Sequence, residues 1–407
     1  MMLGKSLKNT GVQVVGKAIT VLISLVTTAI LVRKLGTVNY GLFTLVTAVL
    51  ILLDSLADFG TRVIGVREAA KDVSNHPGIF KNLVVLRLVM ASGAMMIGLV
   101  WLLVYPGISD IRNEILLALL MSGFTSLAGS LEIIFQSKMR LDLKTLMDVA
   151  FPGLFLIFLL VWGGNLTLLW VFGAYLAARG VSLIWGAWLV NKIWKLERLK
   201  NVLVDKKTWG WLLKESWPMG LYLIIFTSYD RALDSMIINH YWGASSVAWY
   251  GLGYKIYGNL IMPAYFFISN VFPMLSVKNR DKKKIFDRSL LISLVMALTV
   301  MVVMYVLAPL AIKILAGDSF YASVEVLRVL LLALGFSYIG HIVGFTLISE
   351  GGQKEMLKVG LAALLINLVL NLLLIPYFGI IAAAWVTVLT EAIAAGMMWF
   401  YLRKKSL

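Results

Sequence analysis

Apolar stretches of about twenty residues recur along the whole chain, and each is long enough to cross roughly 30 Å of hydrocarbon as a helix. Twelve are expected, at approximately 11–32, 41–60, 83–105, 114–136, 146–163, 166–190, 217–240, 247–273, 289–310, 325–348, 359–376 and 380–402. Hydrocarbon offers the backbone no hydrogen-bond partner, so only helices or closed barrels can span it. The alternating pattern of barrel strands is missing from the sequence. The expected fold class is an all-α polytopic membrane protein of about twelve transmembrane helices in two six-helix lobes around a central cavity. Of 407 residues, 60% are apolar and only 14% charged, whereas a soluble domain is nearer a quarter charged.

The basic residues set the expected orientation. Twenty-seven lysines and arginines fall in connections on one side of these spans, and four (Arg33, Lys34, Arg112, Lys313) on the other. Basic loops stay inside, so both termini are expected in the cytoplasm and the chain in the cytoplasmic membrane. Topology and contact with anionic membrane lipids account for the net charge of +16, and nucleic acid is not expected as a partner. The first span holds Lys17 and lacks a small-residue cleavage pattern, so it reads as a retained helix rather than a signal peptide. Cysteine is absent, which removes disulfides and thiolate chemistry.

The longest connection, 191–216, is basic and carries Trp194, Trp209 and Trp211. It separates an expected N-terminal lobe, 1–200, from a C-terminal lobe, 201–407. A trace of repetition accompanies the division: "LGTVNYGLF" follows the first span and "WGASSVAWYGLG" the seventh. Both place Gly, then Tyr-Gly, at an outer turn, as halves related by an axis along the membrane normal would.

Charges inside the spans are the informative exceptions, because each ionised group costs roughly 2.5–3.5 kcal/mol at a helix centre. "FTSYDRALDSMII" carries Asp230, Arg231 and Asp234 within an apolar run. Asp230 and Asp234 are one turn apart, and Arg231 and Asp234 are i,i+3 neighbours. One reading is a self-neutralising Arg231–Asp234 pair with Asp230 bonded elsewhere. The other is a cavity wall where Arg231 attracts an anion and an aspartate exchanges a proton or monovalent cation. The first span aligns Gln13, Lys17, Thr20, Ser24 and Thr27 on one face, and the second aligns Tyr40, Thr44, Thr47, Asp54 and Asp58. The eighth carries Gly251, Lys255 and Asn259. Lys17 either snorkels to the interface or faces the cavity. Arg179, near Tyr175 and Ser182, and Glu391 both lie mid-span, as partners in a buried pair or as separate functional groups. Arg87 and Arg328 lie near helix ends and are expected to snorkel.

"ILVRKLGTVNYGLFTLVTAVLILLDSLADFGTRVIGVREAAK" resembles the N-terminal signature of the polysaccharide-biosynthesis (O-antigen-type) flippases of the MATE-like exporter superfamily. The matching positions are Arg33, Leu35, Gly36, Tyr40, Gly41, Asp58 and Gly60. "YDRALDSMIINHYWG" is similar to the family's seventh span, and "YGLGYKIYGNLIMPAYFFISNVFPMLS" to its eighth, with Lys255 at a commonly basic position. "INLVLNLLLIPYFGIIAAAWVTVLTE" resembles its last two spans. The resemblance implies a flippase that moves isoprenoid-diphosphate-linked oligosaccharide from the cytoplasmic to the outer leaflet by alternating access, for cell-surface polysaccharide assembly. A multidrug exporter of the same superfamily is the alternative.

The expected substrate-binding cations are Lys17, Arg179, Arg231 and Lys255, with Gln13 and Asn259 in the polar cavity wall. Asp54, Asp58, Asp230, Asp234 and Glu391 are the candidate coupling or tuning carboxylates. Arg179 and Glu391 rest on the physical argument alone. No metal or cofactor is expected. An integral-membrane glycosyltransferase or polymerase is disfavoured, because the paired acids are intramembrane and His76, His240 and His341 have no ligand spacing.

Overall fold

A computed structural model describes the backbone of residues 2–71, 76–105, 111–162, 164–200, 202–276 and 282–405. It describes their side chains except those of 2–10, 70–71, 76, 230–231, 273, 276 and 282. The described residues form α-helices α1 (Met2–Asp58), α2 (Thr61–Lys71), α3 (His76–Val104), α4 (Arg112–Ser137), α5 (Leu141–Val161) and α6 (Leu168–Trp194). After them come α7 (Lys206–Thr227), α8 (Leu233–Ser276), α9 (Lys282–Ala316), α10 (Ala322–Ser349) and α11 (Gln353–Lys405). Eight of the described helices are long and apolar enough to cross a membrane, and the chain is an all-α polytopic membrane protein.

Three long helices are broken at a single glycine. Gly36 in α1 has φ 72° and ψ −178°, Gly243 in α8 has φ 75° and ψ 175°, and Gly379 in α11 has φ 62° and ψ −144°. The first two occupy a backbone region that is essentially glycine-only, since a Cβ would clash with its own peptide. Gly36 and Gly243 are the glycines that open the two repeated turn sequences, and they take nearly the same conformation. The backbone therefore aligns the repeat on the breaks, matching Thr44 with Gly251.

The chain forms two compact units: Met1–Leu35 with Val46–Thr227, and Gly36–Leu45 with Ser228–Leu407. Compactness places α7 with the first unit. The connection before α7 is tied down inside that unit. Lys81 donates to the carbonyls of Leu199 (3.0 Å) and Val202 (2.6 Å), and the Asn82 side chain accepts from the Asp205 N–H at 2.8 Å. Asp205 then caps α7, accepting from the N–H groups of Lys207 and Thr208. Those donors, Lys207 first, hold the Asp205 carboxyl below the usual carboxylate range.

Packing inside the first unit centres on a close approach of two glycines. Phe59 and Gly60, both at positive φ, turn the chain from α1 into α2. A Cβ on Gly220 of α7 would lie 2.6 Å from the Phe59 carbonyl oxygen, and one on Gly60 would lie 2.8 Å from the Gly220 nitrogen. In the second unit α10 is the central helix. Its Leu330, Leu331, Ala333, Leu334, Tyr338 and Ile342 are wholly buried. Segment 36–45 joins that unit through small residues: a Cβ on Gly41 would overlap the Ala244 backbone, and one on Gly251 would lie 2.6 Å from Thr44. Thr44 and Gly251 are equivalent positions of the repeat, so this contact is of a position with its own counterpart.

Candidate functional site

The candidate functional groups are ionisable and polar side chains inside the helices, and each unit holds its own set. In the first unit Asp58, at the end of α1, is buried and forms an ion pair with Arg87 of α3. Arg87 also donates to Thr61 Oγ1 and to the Ser126 carbonyl, both at 3.3 Å. It is 3% exposed, so it does not snorkel as expected. Its charge is matched by an acid 29 positions earlier, a partner that distance along the chain conceals. Arg62 lies 3.8 Å from Asp58 and 3.3 Å from Glu132, which is in turn 3.8 Å from Lys144. Lys144 pairs with Asp148 at 2.6 Å. Asp58 is thus the inner end of a charged chain through α1, α2, α3, α4 and α5. The sequence reading left it out, because Glu132, Lys144 and Asp148 lie far from Asp58 along the chain.

A second group in this unit lies deeper. Arg179 of α6 stacks over the Phe151 ring, 3.9 Å from its centroid. Asp54 lies within electrostatic range of Arg179, Ser122 and Arg87, and Tyr175 within range of both Asp54 and Arg179. Buried atoms here lack a hydrogen-bond partner: Asp54 Oδ1, Ser122 Oγ, Thr125 Oγ1 and Arg179 Nε. Buried polar groups are normally satisfied by protein or by water, and the Ser122 hydroxyl is near enough to the Asp54 carboxyl to bond it. Lys17 is half-buried and Gln13 exposed on α1, with neither hydrogen-bonded nor ion-paired among the described residues.

In the second unit Asp234, wholly buried at the start of α8, accepts from the Tyr250 hydroxyl and from the Asn371 amide, both at 2.6 Å. Asn371 also donates to Asn367 at 3.0 Å, and Tyr250 lies 3.4 Å from Thr387 Oγ1. Tyr250, Asn367, Asn371 and Thr387 are functional candidates that sequence reasoning left out. Two of them are the Asn-x3-Asn pair of "INLVLN", whose i,i+4 spacing was the available signal. Glu391 ends a relay in which Tyr257 bonds Ser337 at 2.7 Å and Ser337 donates to Glu391 at 2.8 Å. Lys255 and Asn259 follow on α8, both half-buried, and the Asn259 amide nitrogen is buried without a partner.

Asp230 and Arg231 sit on a π turn, Ser228–Ala232, between α7 and α8. Their side chains lie outside the described residues. The turn itself falls at the division between the two compact units, and single π turns recur at functional positions. Among the described residues no group of three or more His, Cys, Asp or Glu is placed to hold a metal.

The solved structures share this architecture at low identity. The lipid II flippase MurJ, in an inward closed conformation, matches with a TM-score of 0.82 and 12% identity, covering 96% of this chain and 87% of that one. A multidrug resistance MATE family transporter of the MOP superfamily, inward-facing, matches with a TM-score of 0.76 and 14% identity, over 95% and 94%. The outward-facing form of such a transporter matches with a TM-score of 0.67 and 14% identity, over 98% and 94%. These likenesses establish a fold of the MATE/MOP transporter type. No curated protein matches the sequence. A family model described as polysaccharide biosynthesis protein matches residues 6–279, about two thirds of the sequence, and the chain belongs to that family.

Proposed function

We propose that the protein is a flippase that carries an isoprenoid-diphosphate-linked oligosaccharide from the cytoplasmic to the outer leaflet by alternating access. The observation that carries this reading is the polar interior of a chain of this family: cations and carboxylates held within helices that otherwise suit lipid. Intramembrane ionisable groups are expensive and mark substrate or ion paths.

In this proposal the breaks at Gly36, Gly243 and Gly379, together with α7, divide the helices into twelve spans with both termini in the cytoplasm. Two six-helix lobes rock about a central cavity. Lys17, Arg179, Arg231 and Lys255 attract the diphosphate, while Gln13 and Asn259 contact sugar hydroxyls. Asp54, Asp230 and Glu391 are the carboxylates assigned to coupling by proton or monovalent cation. Asp58 and Asp234 are assigned to holding helices together, because each already accepts donors from neighbouring helices. The isoprenoid chain stays in lipid.

The test is reconstitution in liposomes loaded with labelled isoprenoid-diphosphate oligosaccharide, following the rate at which the sugar becomes accessible to an external glycosidase. Each charge-assisted contact with a diphosphate is worth about tenfold or more in affinity, so Lys17→Ala and Arg231→Ala should slow appearance by about that factor. Equal, slow appearance in protein-containing and empty liposomes removes the reading. The structural likeness to a multidrug exporter supports a second reading, and uptake of a cationic dye by the same liposomes, with no sugar movement, would select it.

A further inference from the structure

At the basic end of the second unit, α9 begins and α11 ends side by side. Lys405 fixes this end: it reaches the Gly351 carbonyl at 3.1 Å and lies 3.4 Å from Glu355, so the start of α11 lies there too. A pocket of about 170 Å³ opens here, lined by Lys283, Phe286, Asp287, Trp399, Leu402 and Arg403. Phe286 and Leu402 are buried and form its apolar floor. Trp399 packs against Phe286, with ring centroids 5.9 Å apart, and Arg403 lies over the Trp399 ring at 5.4 Å. Stacking holds that guanidinium at the rim. Lys283, Lys284 and Arg288 are exposed, and none of them forms an ion pair with a described residue.

One turn further along, the surface changes character. Leu291, Val295, Leu298, Val302 and Val306 of α9 are 56–70% exposed. Their spacing of four, three, four and four residues makes one continuous apolar stripe leading away from the pocket. On α11, Phe400 is 54% exposed. In a membrane-spanning chain such a stripe faces hydrocarbon, which puts the pocket at headgroup depth.

We propose that this pocket is a binding site for one anionic glycerophospholipid, its phosphate held between Lys283 and Arg403 and its acyl chains lying along the α9 stripe. Basic pockets between spans at a cytoplasmic face suit anionic headgroups. Phosphatidylglycerol fits the charge, since two cations outweigh the single Asp287 carboxylate. The site is separate from the polar groups assigned to transport, and its occupancy does not depend on what the protein carries.

The experiment is native mass spectrometry of the full-length protein released from nanodiscs of phosphatidylglycerol, phosphatidylethanolamine or phosphatidylcholine. The wild type should keep one phosphatidylglycerol in preference to either zwitterionic lipid. A basic residue near the surface contributes about fivefold to the binding of an anionic lipid. Lys283→Gln and Arg403→Gln should each lower retention by about that factor, while Lys313→Gln on α9's opposite end leaves it unchanged. Arg403→Lys should keep most of the binding, and Asp287→Asn should raise it. Soluble glycerophosphoglycerol should not displace the lipid; displacement would assign the site to a free phosphate ester and overturn the proposal. Equal retention of the three lipids, or a loss on Asp287→Asn with phosphatidylethanolamine preferred, would overturn it as well.

Discussion

Asp58 and Asp234 are both buried carboxylates within helices that otherwise suit lipid, and the two units treat them differently. Asp58 is answered by charge: Arg87 pairs with it directly, and Arg62 stands 3.8 Å away. The donors described around Asp234 are a phenol and an amide, Tyr250 and Asn371. An arginine cannot be deprotonated in a protein, so Asp58 sits beside a permanent positive charge. Both arrangements join neighbouring spans, the first through a described cation and the second through described neutral donors. The surroundings differ too. Beside Asp58 the chain turns through Phe59 and Gly60 at positive φ, with Gly220 packed too closely to accept a methyl group. Beside Asp234 lies the π turn at the unit division.

The largest expected effect separates these two sites. Arg87→Ala removes the direct partner of a buried carboxylate and leaves only Arg62 beside it, which costs up to about 3–5 kcal/mol. SDS-titrated unfolding in mixed micelles measures it. Adding Asp58→Asn to Arg87→Ala should return most of that loss, whereas a purely steric role for Arg87 predicts no recovery. Next comes Tyr250→Phe, which removes a hydroxyl donor to Asp234 and should cost about 1.5–3 kcal/mol in the same titration. Gly220→Ala forces its methyl against the Phe59 carbonyl and should cost about 1–3 kcal/mol. Gly210→Ala in the same helix, with open space around it, should be neutral or stabilising. If the two alanine variants behaved alike, the tight packing beside Asp58 would not distinguish the first unit.

Much of this was legible in the sequence, and the failures have physical causes. The hydrophobic spans, the outer-turn glycines and the intramembrane charges all showed, because lipid imposes one strong rule on composition. Pairing across helices did not show. Arg87 read as a snorkelling side chain because its depth in the span was visible and its partner was not. The Gly and Tyr-Gly of the two repeated stretches showed, but their unequal spacing left the register open until the backbone breaks at Gly36 and Gly243 supplied it. Thr387 stayed hidden because a single threonine in an apolar helix is ordinary packing chemistry, and the Asn367–Asn371 spacing gave no partner across helices. Asn371 became informative only once its amide was found 2.6 Å from Asp234.

The smallest expected effect is the most discriminating for Asp234. Asp234→Asn keeps an acceptor oxygen for Asn371 and places an amide opposite Tyr250. The Tyr250 hydroxyl can reorient toward Thr387 Oγ1, 3.4 Å away, and accept from the new amide. Both described donors then retain a partner, and their share of the loss should be only about 1 kcal/mol, the worth of a neutral hydrogen bond against a charged one. In Asp58→Asn the same chemical change strands Arg87, so its cost should be several times larger. A double-mutant cycle of Asp234→Asn with Tyr250→Phe isolates the term, since the two residues touch and their effects should fail to add. If Asp234→Asn proved as damaging as Asp58→Asn, the Asp234 carboxylate would be a charge-locked strut like its counterpart. Its buried position beside the π turn would then give it no separate role.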